Sequence, residues 1–148
     1  MWKRRLVSSR RKQSKQPEEQ LTFFLDQGLG RHDVSEAVRS CNFIAKPAHE
    51  VYPEAGNFAV DDDIWIRRCA EEGWVALTKD AAILRDHREA LKGNGLRVFA
   101  FDSAKLTGAQ MAERFTLHSN RIASRCKKPG SFVDILHSKT IERRWPPA

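Results

Sequence analysis

The sequence predicts one α/β domain built on a mostly parallel central sheet with flanking helices and a C-terminal β-hairpin. Two observations carry this expectation. Short apolar runs at 21–26, 74–80 and 96–102 each end in an aspartate, and segments with apolar residues at helical spacing lie between them, joined by short connections. The length of 148 residues suits a single domain whose core is large enough to fold without disulfide staples.

Taken in order, residues 1–20 hold seven basic and two acidic side chains and read as a basic flexible arm, with the domain proper over 21–148. LTFFLD (21–26) has the character of a strand buried on both faces. Leu29, Val34, Ala37 and Val38 place a helical stripe over about 29–40, and FIAKPAHEVY (43–52) is a second extended segment in which Pro47 argues for an edge or a bulge. A loop over 53–60 leads to a helix that starts at Asp61–Asp63 and runs to Glu72, where Gly73 fits the C-terminal stop. WVALTKD (74–80) is the next buried strand, followed by a helical segment over 81–92 and a Gly93-Asn94-Gly95 turn. LRVFAFD (96–102) is the third. A long amphipathic helix then spans 107–125 with Met111, Phe115, Leu117 and Ile122 among its apolar positions. Residues 126–148 form a basic extension that folds back as a hairpin around Ser138.

Charge is distributed unevenly. The net +7 divides into +5 over 1–20, −4 over 21–102 and +6 over 103–148. An acidic centre between basic ends suggests carboxylates gathered in one place and polyanion-binding groups in another. Three widely spaced cysteines without a CxxC pair argue against a disulfide framework or a structural zinc site and suit a reducing cytoplasm. No apolar run approaches a bilayer span, and none follows the basic N-terminus as a signal peptide would require. The absence of a Walker loop, a GxGxxG or a Ser-His-Asp arrangement disfavours nucleotide-cofactor and acyl-transfer chemistry.

The carboxyl ends of strands in an open parallel sheet share one edge, so Asp26, Asp80 and Asp102 can meet despite their separation in the chain. Within the Asp61-Asp62-Asp63 cluster, Asp62 lies three and four residues before the apolar Trp65 and Ile66 and points inward; Asp63 is next best, and Asp61 serves as the cap. Carboxylates without Cys or His partners suit hard cations, Mg²⁺ or Mn²⁺, and a metal so held can activate a water against a phosphodiester. Thr78, two residues before Asp80, is placed to hydrogen-bond the acid or a metal-bound water.

These residues resemble the PIN-like ribonuclease superfamily, in particular the branch of VapC-type toxins of toxin-antitoxin systems. The resemblance covers about residues 22–101 and rests on FFLDQGLG (23–30), DDDIWIRRCAEEGWVALTKD (61–80) and RVFAF (97–101). It implies a three-layer PIN-like fold. It also implies Asp26, Asp62 and Asp80 as metal-binding acids beside Thr78, and Mg²⁺- or Mn²⁺-dependent cleavage of RNA by the toxin of a type II pair. A cognate antitoxin and a homodimer are the implied partners. Gln27 and Gly28 stand where the family commonly has Ser, Thr or Asn, and Asp86 and Asp102 are both candidates for a fourth acid.

RNA contact is expected from Arg85 and Arg88, which flank His87, and from Arg125, Lys127, Lys128, Arg143 and Arg144, the last two beside Trp145. The alternatives are a catalytically inactive PIN-like module that binds RNA or protein and, ranked well below, a phospho-acceptor receiver domain. The receiver reading expects an acidic pair after the first strand, where Asp26 stands alone.

Overall fold

The computed structural model describes residues 20–56, 58–92 and 95–147. The basic arm and the Gly93-Asn94 part of the expected turn lie outside the described residues. Six strands form one sheet in the order β2-β1-β3-β4-β5-β6. The strands are β1 (Thr22–Leu25), β2 (Ile44–Pro47), β3 (Val75–Thr78), β4 (Arg97–Phe101), β5 (Phe132–Leu136) and β6 (Ile141–Trp145). All neighbours pair in parallel except β5 and β6, which form the antiparallel hairpin.

Alternation along β1 shows why the sheet has a helix layer on each face. Phe23 and Leu25 point to one side, where α1 (Asp33–Ser40) and α6 (Gly108–Cys126) bring Val34, Val38, Met111, Phe115 and Ile122. Phe24 points to the other, against Trp65, Ile66 and Cys69 of α3 (Asp62–Glu72) and Leu91 of α5 (Arg88–Leu91). Its ring stacks on Trp65 with centroids 5.3 Å apart. Each layer buries apolar surface worth about 25 cal/mol per Å², so the doubly covered strands read as continuous apolar runs.

Helix ends follow local chemistry. Gly73 takes φ 75° and lets its N–H close α3 onto the Cys69 carbonyl. Thr107 and Gln110 cap α6 reciprocally: the Thr107 hydroxyl accepts from the Gln110 N–H, and the Gln110 side chain accepts from the Thr107 N–H.

Four local expectations are corrected. The helical stripe over 29–40 begins at Asp33, because Gln27–Leu29 forms a separate 3-10 turn. The extended segment at 43–52 stops at Pro47, and Ala48–Val51 is a helical turn, α2; β2 is the sheet's outer strand, as Pro47 requires. The 81–92 segment is broken into α4 (Ile83–Asp86) and α5 at His87, whose φ of −132° is not helical. Asp61 occupies the N-cap position of α3, but its side chain makes no capping bond. No helix among the described residues is long and apolar enough to cross a membrane.

Candidate active site

β1 and β3 pair in register, with Leu25 opposite Leu77, and the ladder continues as the Asp26 N–H donates to the Leu77 carbonyl. Asp26 therefore stands beside Thr78 at the carboxyl edge of the sheet. The fully buried Thr78 hydroxyl donates to Asp26 Oδ2 at 2.8 Å and accepts from the Asp80 N–H at 3.1 Å. One side chain thus ties the Asp26 carboxylate to the backbone of Asp80, and its hydroxyl proton is committed to Asp26.

Asp26 Oδ1 accepts from the Gln27 N–H at 2.7 Å. The 3-10 turn then passes beneath Lys79: a Cβ at Gly28 would lie 3.0 Å from Lys79 Cε, so the end of the lysine would have to give way slightly to any larger residue. Asp80 Oδ1 accepts from the Ala82 N–H at 2.9 Å, an Asx turn that leads into α4. Asp62 enters from the first turn of α3. Trp65 Nε1 donates to its Oδ1 at 2.9 Å, and His87 Nε2 stands 3.1 Å from its Oδ2. The other ring nitrogen of His87 stands 2.9 Å from Asp63 Oδ1, so His87 spans both acids.

Burial pushes the Asp26 carboxyl above its ordinary 3.8, partly offset by the hydrogen bonds from Thr78 and Gln27 and reinforced by the charges of Asp62 and Asp80. Three carboxylates therefore share one electrostatic site at the edge where ligands of parallel sheets bind. Among the described residues no three His, Cys, Asp or Glu side chains close into a metal-ligand set. Asp62 has its two oxygens turned to Trp65 and His87. The donor chemistry nonetheless fits a hard cation. Asp26 and Asp80 retain free lone pairs, and magnesium takes only one or two protein carboxylates while keeping several waters.

The remaining expected residues divide by position. Asp63 lies at the rim, pairing with His87. Asp102 does not join the other acids: Arg114 and His137 Nδ1, the latter at 3.1 Å, hold it at the end of β4. Asp86 is exposed and pairs with Arg85. Arg85 and Arg88 line an open groove between α3 and α4–α5 that Asp63 and His87 also line. Lys127 and Lys128 follow the end of α6, where Arg97 at the start of β4 donates to the Cys126 carbonyl. They therefore sit at the amino edge of the sheet, opposite the acids. Arg125 and Arg143 are bound to the buried Asp134, and Arg144 to Glu142.

Sequence reasoning missed His87 as a neighbour of Asp62, because nothing in a separation of 25 residues signals the contact. It also missed Arg67, which lines the same groove and stands four residues after Asp63; that helical spacing was the available signal. His87→Ala releases Asp62 Oδ2 and is expected to tighten Mn²⁺ binding, since that oxygen is otherwise engaged by the ring. Isothermal titration would measure it, and unchanged or weaker affinity would mean that Asp62 does not reach the cation.

Comparison with known proteins agrees with this geometry. The chain is 32% identical over 122 residues to the Mycobacterium tuberculosis protein named "Putative ribonuclease VapC45", covering 81% of this chain and 88% of that protein. No solved structure matches at a significant level. Residues 21–103, from β1 to just past Asp102, match the family described as "PIN like domain", and on that match and this relative the chain belongs to the PIN-like domain family.

Proposed function

We propose that this chain is a divalent-metal-dependent endoribonuclease, the toxin of a type II toxin-antitoxin pair, with RNA as substrate and a cognate antitoxin as protein partner. The observation that carries the reading is the placement of Asp26 and Asp80 at the carboxyl ends of the adjacent strands β1 and β3, joined through the Thr78 hydroxyl. The name of the Mycobacterium tuberculosis relative, a ribonuclease, agrees with it.

In this reading Asp26, Asp80 and Asp62 would hold Mg²⁺ or Mn²⁺, which when bound would polarise the phosphodiester and lower the pKa of a water. Thr78 ties the Asp26 carboxylate to the backbone of Asp80 and so fixes its orientation. The Asp63–His87 rim and Arg67, Arg85 and Arg88 along the groove give the RNA backbone a path to the acids. Lys127 and Lys128 face away from that path and serve at most to attract the polyanion at long range.

The purified protein is expected to cleave RNA with Mn²⁺ or Mg²⁺ and to stop when EDTA is added. Cleavage that persists in EDTA would overturn the metal-dependent reading. The engagement of both Asp62 oxygens favours one second reading, a PIN-like module that binds without cleaving. No heat of Mn²⁺ binding, together with preserved RNA binding, would select it.

A further inference from the structure

A second cavity opens at the same edge of the sheet, one strand away from the acids. Gln27, Gly30 and Arg31, which follow β1, form one wall; His49 and Tyr52, which follow β2, form another; Phe58 and Val60, before α3, complete it. Its volume is about 160 Å³, below the ~300 Å³ at which ordinary small-molecule pockets begin. The walls are tied directly to the catalytic acids: Gln27 adjoins Asp26, and Val60 lies two residues before Asp62.

The lining has the makings of a stacking platform. Tyr52 is held in place by Phe24, with ring centroids 6.3 Å apart in an edge contact. Phe58 is 81% exposed at the rim, a large apolar side chain that contributes little to the core. Arg31, also exposed, lines the same cavity. A planar, electron-rich group entering it would find an aromatic ring in Phe58 and a guanidinium in Arg31 on which to stack.

We infer that this cavity is a nucleobase subsite, which receives one unpaired base of the RNA next to the phosphodiester held at Asp26 and Asp80. The inference rests on the ribonuclease reading above. Its volume admits one base and not a stacked pair, and a base still paired in a duplex has no face free to enter. The site therefore selects single-stranded RNA by shape and places the neighbouring phosphate over the acids.

Phe58→Ala tests this without threatening the fold, because Phe58 is exposed. A labelled single-stranded oligoribonucleotide in EDTA is expected to bind the variant about tenfold more weakly, the order of loss typical when one stacked base is given up. With Mn²⁺, KM should rise by a similar factor with kcat and Mn²⁺ affinity unchanged, and Phe58→Trp should restore binding. An oligoribonucleotide made abasic at each position in turn should lose affinity for the wild type at one position, with no further loss in Phe58→Ala. RNA affinity and KM unchanged in Phe58→Ala, in a protein that does cleave RNA, would overturn the subsite alone. A wild-type protein that cleaves no RNA with Mn²⁺ would overturn the ribonuclease reading, and the subsite with it.

Discussion

Replacing Asp26 with Asn is expected to reduce metal-dependent RNA cleavage by about 10³-fold, since a metal's stabilisation of the reacting phosphate is worth several kcal/mol and each 1.36 kcal/mol is about tenfold in rate. The same change should make the metal-free protein more stable at neutral pH. Burial is the largest cause raising the Asp26 carboxyl above 3.8, and the neighbouring Asp62 and Asp80 charges add to it. The folded chain therefore holds that proton more tightly than the unfolded chain, so the ionised carboxylate costs stability. The cost is absent below pH 3.8, where both states are protonated, and grows as pH rises through the elevated folded value. A neutral amide avoids it. Thermal melts at pH 7 in EDTA should show a higher Tm for Asp26→Asn than for wild type. Mn²⁺ should then raise the wild-type Tm and leave the variant nearly unmoved. A variant that melts lower than wild type in EDTA would show that the hydrogen bonds from Thr78 and Gln27 outweigh the burial cost.

Asp134→Ala is expected to destabilise the fold by about 3 kcal/mol, the lower end of the range for breaking a buried ion pair. Asp134 is fully buried in the middle of β5, where it accepts from Arg125 Nε of α6 at 2.5 Å and from Arg143 Nε of β6 at 2.6 Å. The Arg143 guanidinium also lies over the Phe132 ring, 4.8 Å from its centroid. Removing the acid leaves the Arg125 and Arg143 cations without the carboxylate they share. The expectation sits at the low end because both arginines remain partly exposed, at 29% and 33%, and water recovers some of the loss. Urea denaturation would measure the change, which should appear as a lower midpoint at an unchanged slope. A loss below about 1 kcal/mol would mean that the clamp is no stronger than a surface pair.

The clamp also gives Arg125 and Arg143, expected as RNA contacts, a structural partner. Each stands nine residues from Asp134, and as letters they are simply basic residues in a basic segment. A lone acid inside FVDIL carries no sign of which residues will neutralise it. Burying that acid makes its two partners structural, since an unpaired charge at that depth would cost far more than a surface contact returns. Asp102 likewise finds partners that its sequence position does not announce. It ends β4 as Asp26 ends β1, yet Arg114 and His137 reach it first.

The sequence by itself determined the α/β class, the mostly parallel sheet with its C-terminal hairpin, and the place of Asp26 and Asp80 directly after two adjacent parallel strands. Those features follow from local rules: apolar runs must be covered on both faces, Gly73 must end its helix, and residues directly after parallel strands must lie at one edge. Only the tertiary structure decided which side chain holds each acid. It set Thr78 between Asp26 and Asp80, and His87 across Asp62 and Asp63. It put Lys127 and Lys128 on the far edge, and opened the cavity beside Phe58. Period and propensity act over a few residues. Hydrogen bonds and charge pairs act over a few ångströms, and distances between residues far apart in the chain exist only once the sheet has brought them together.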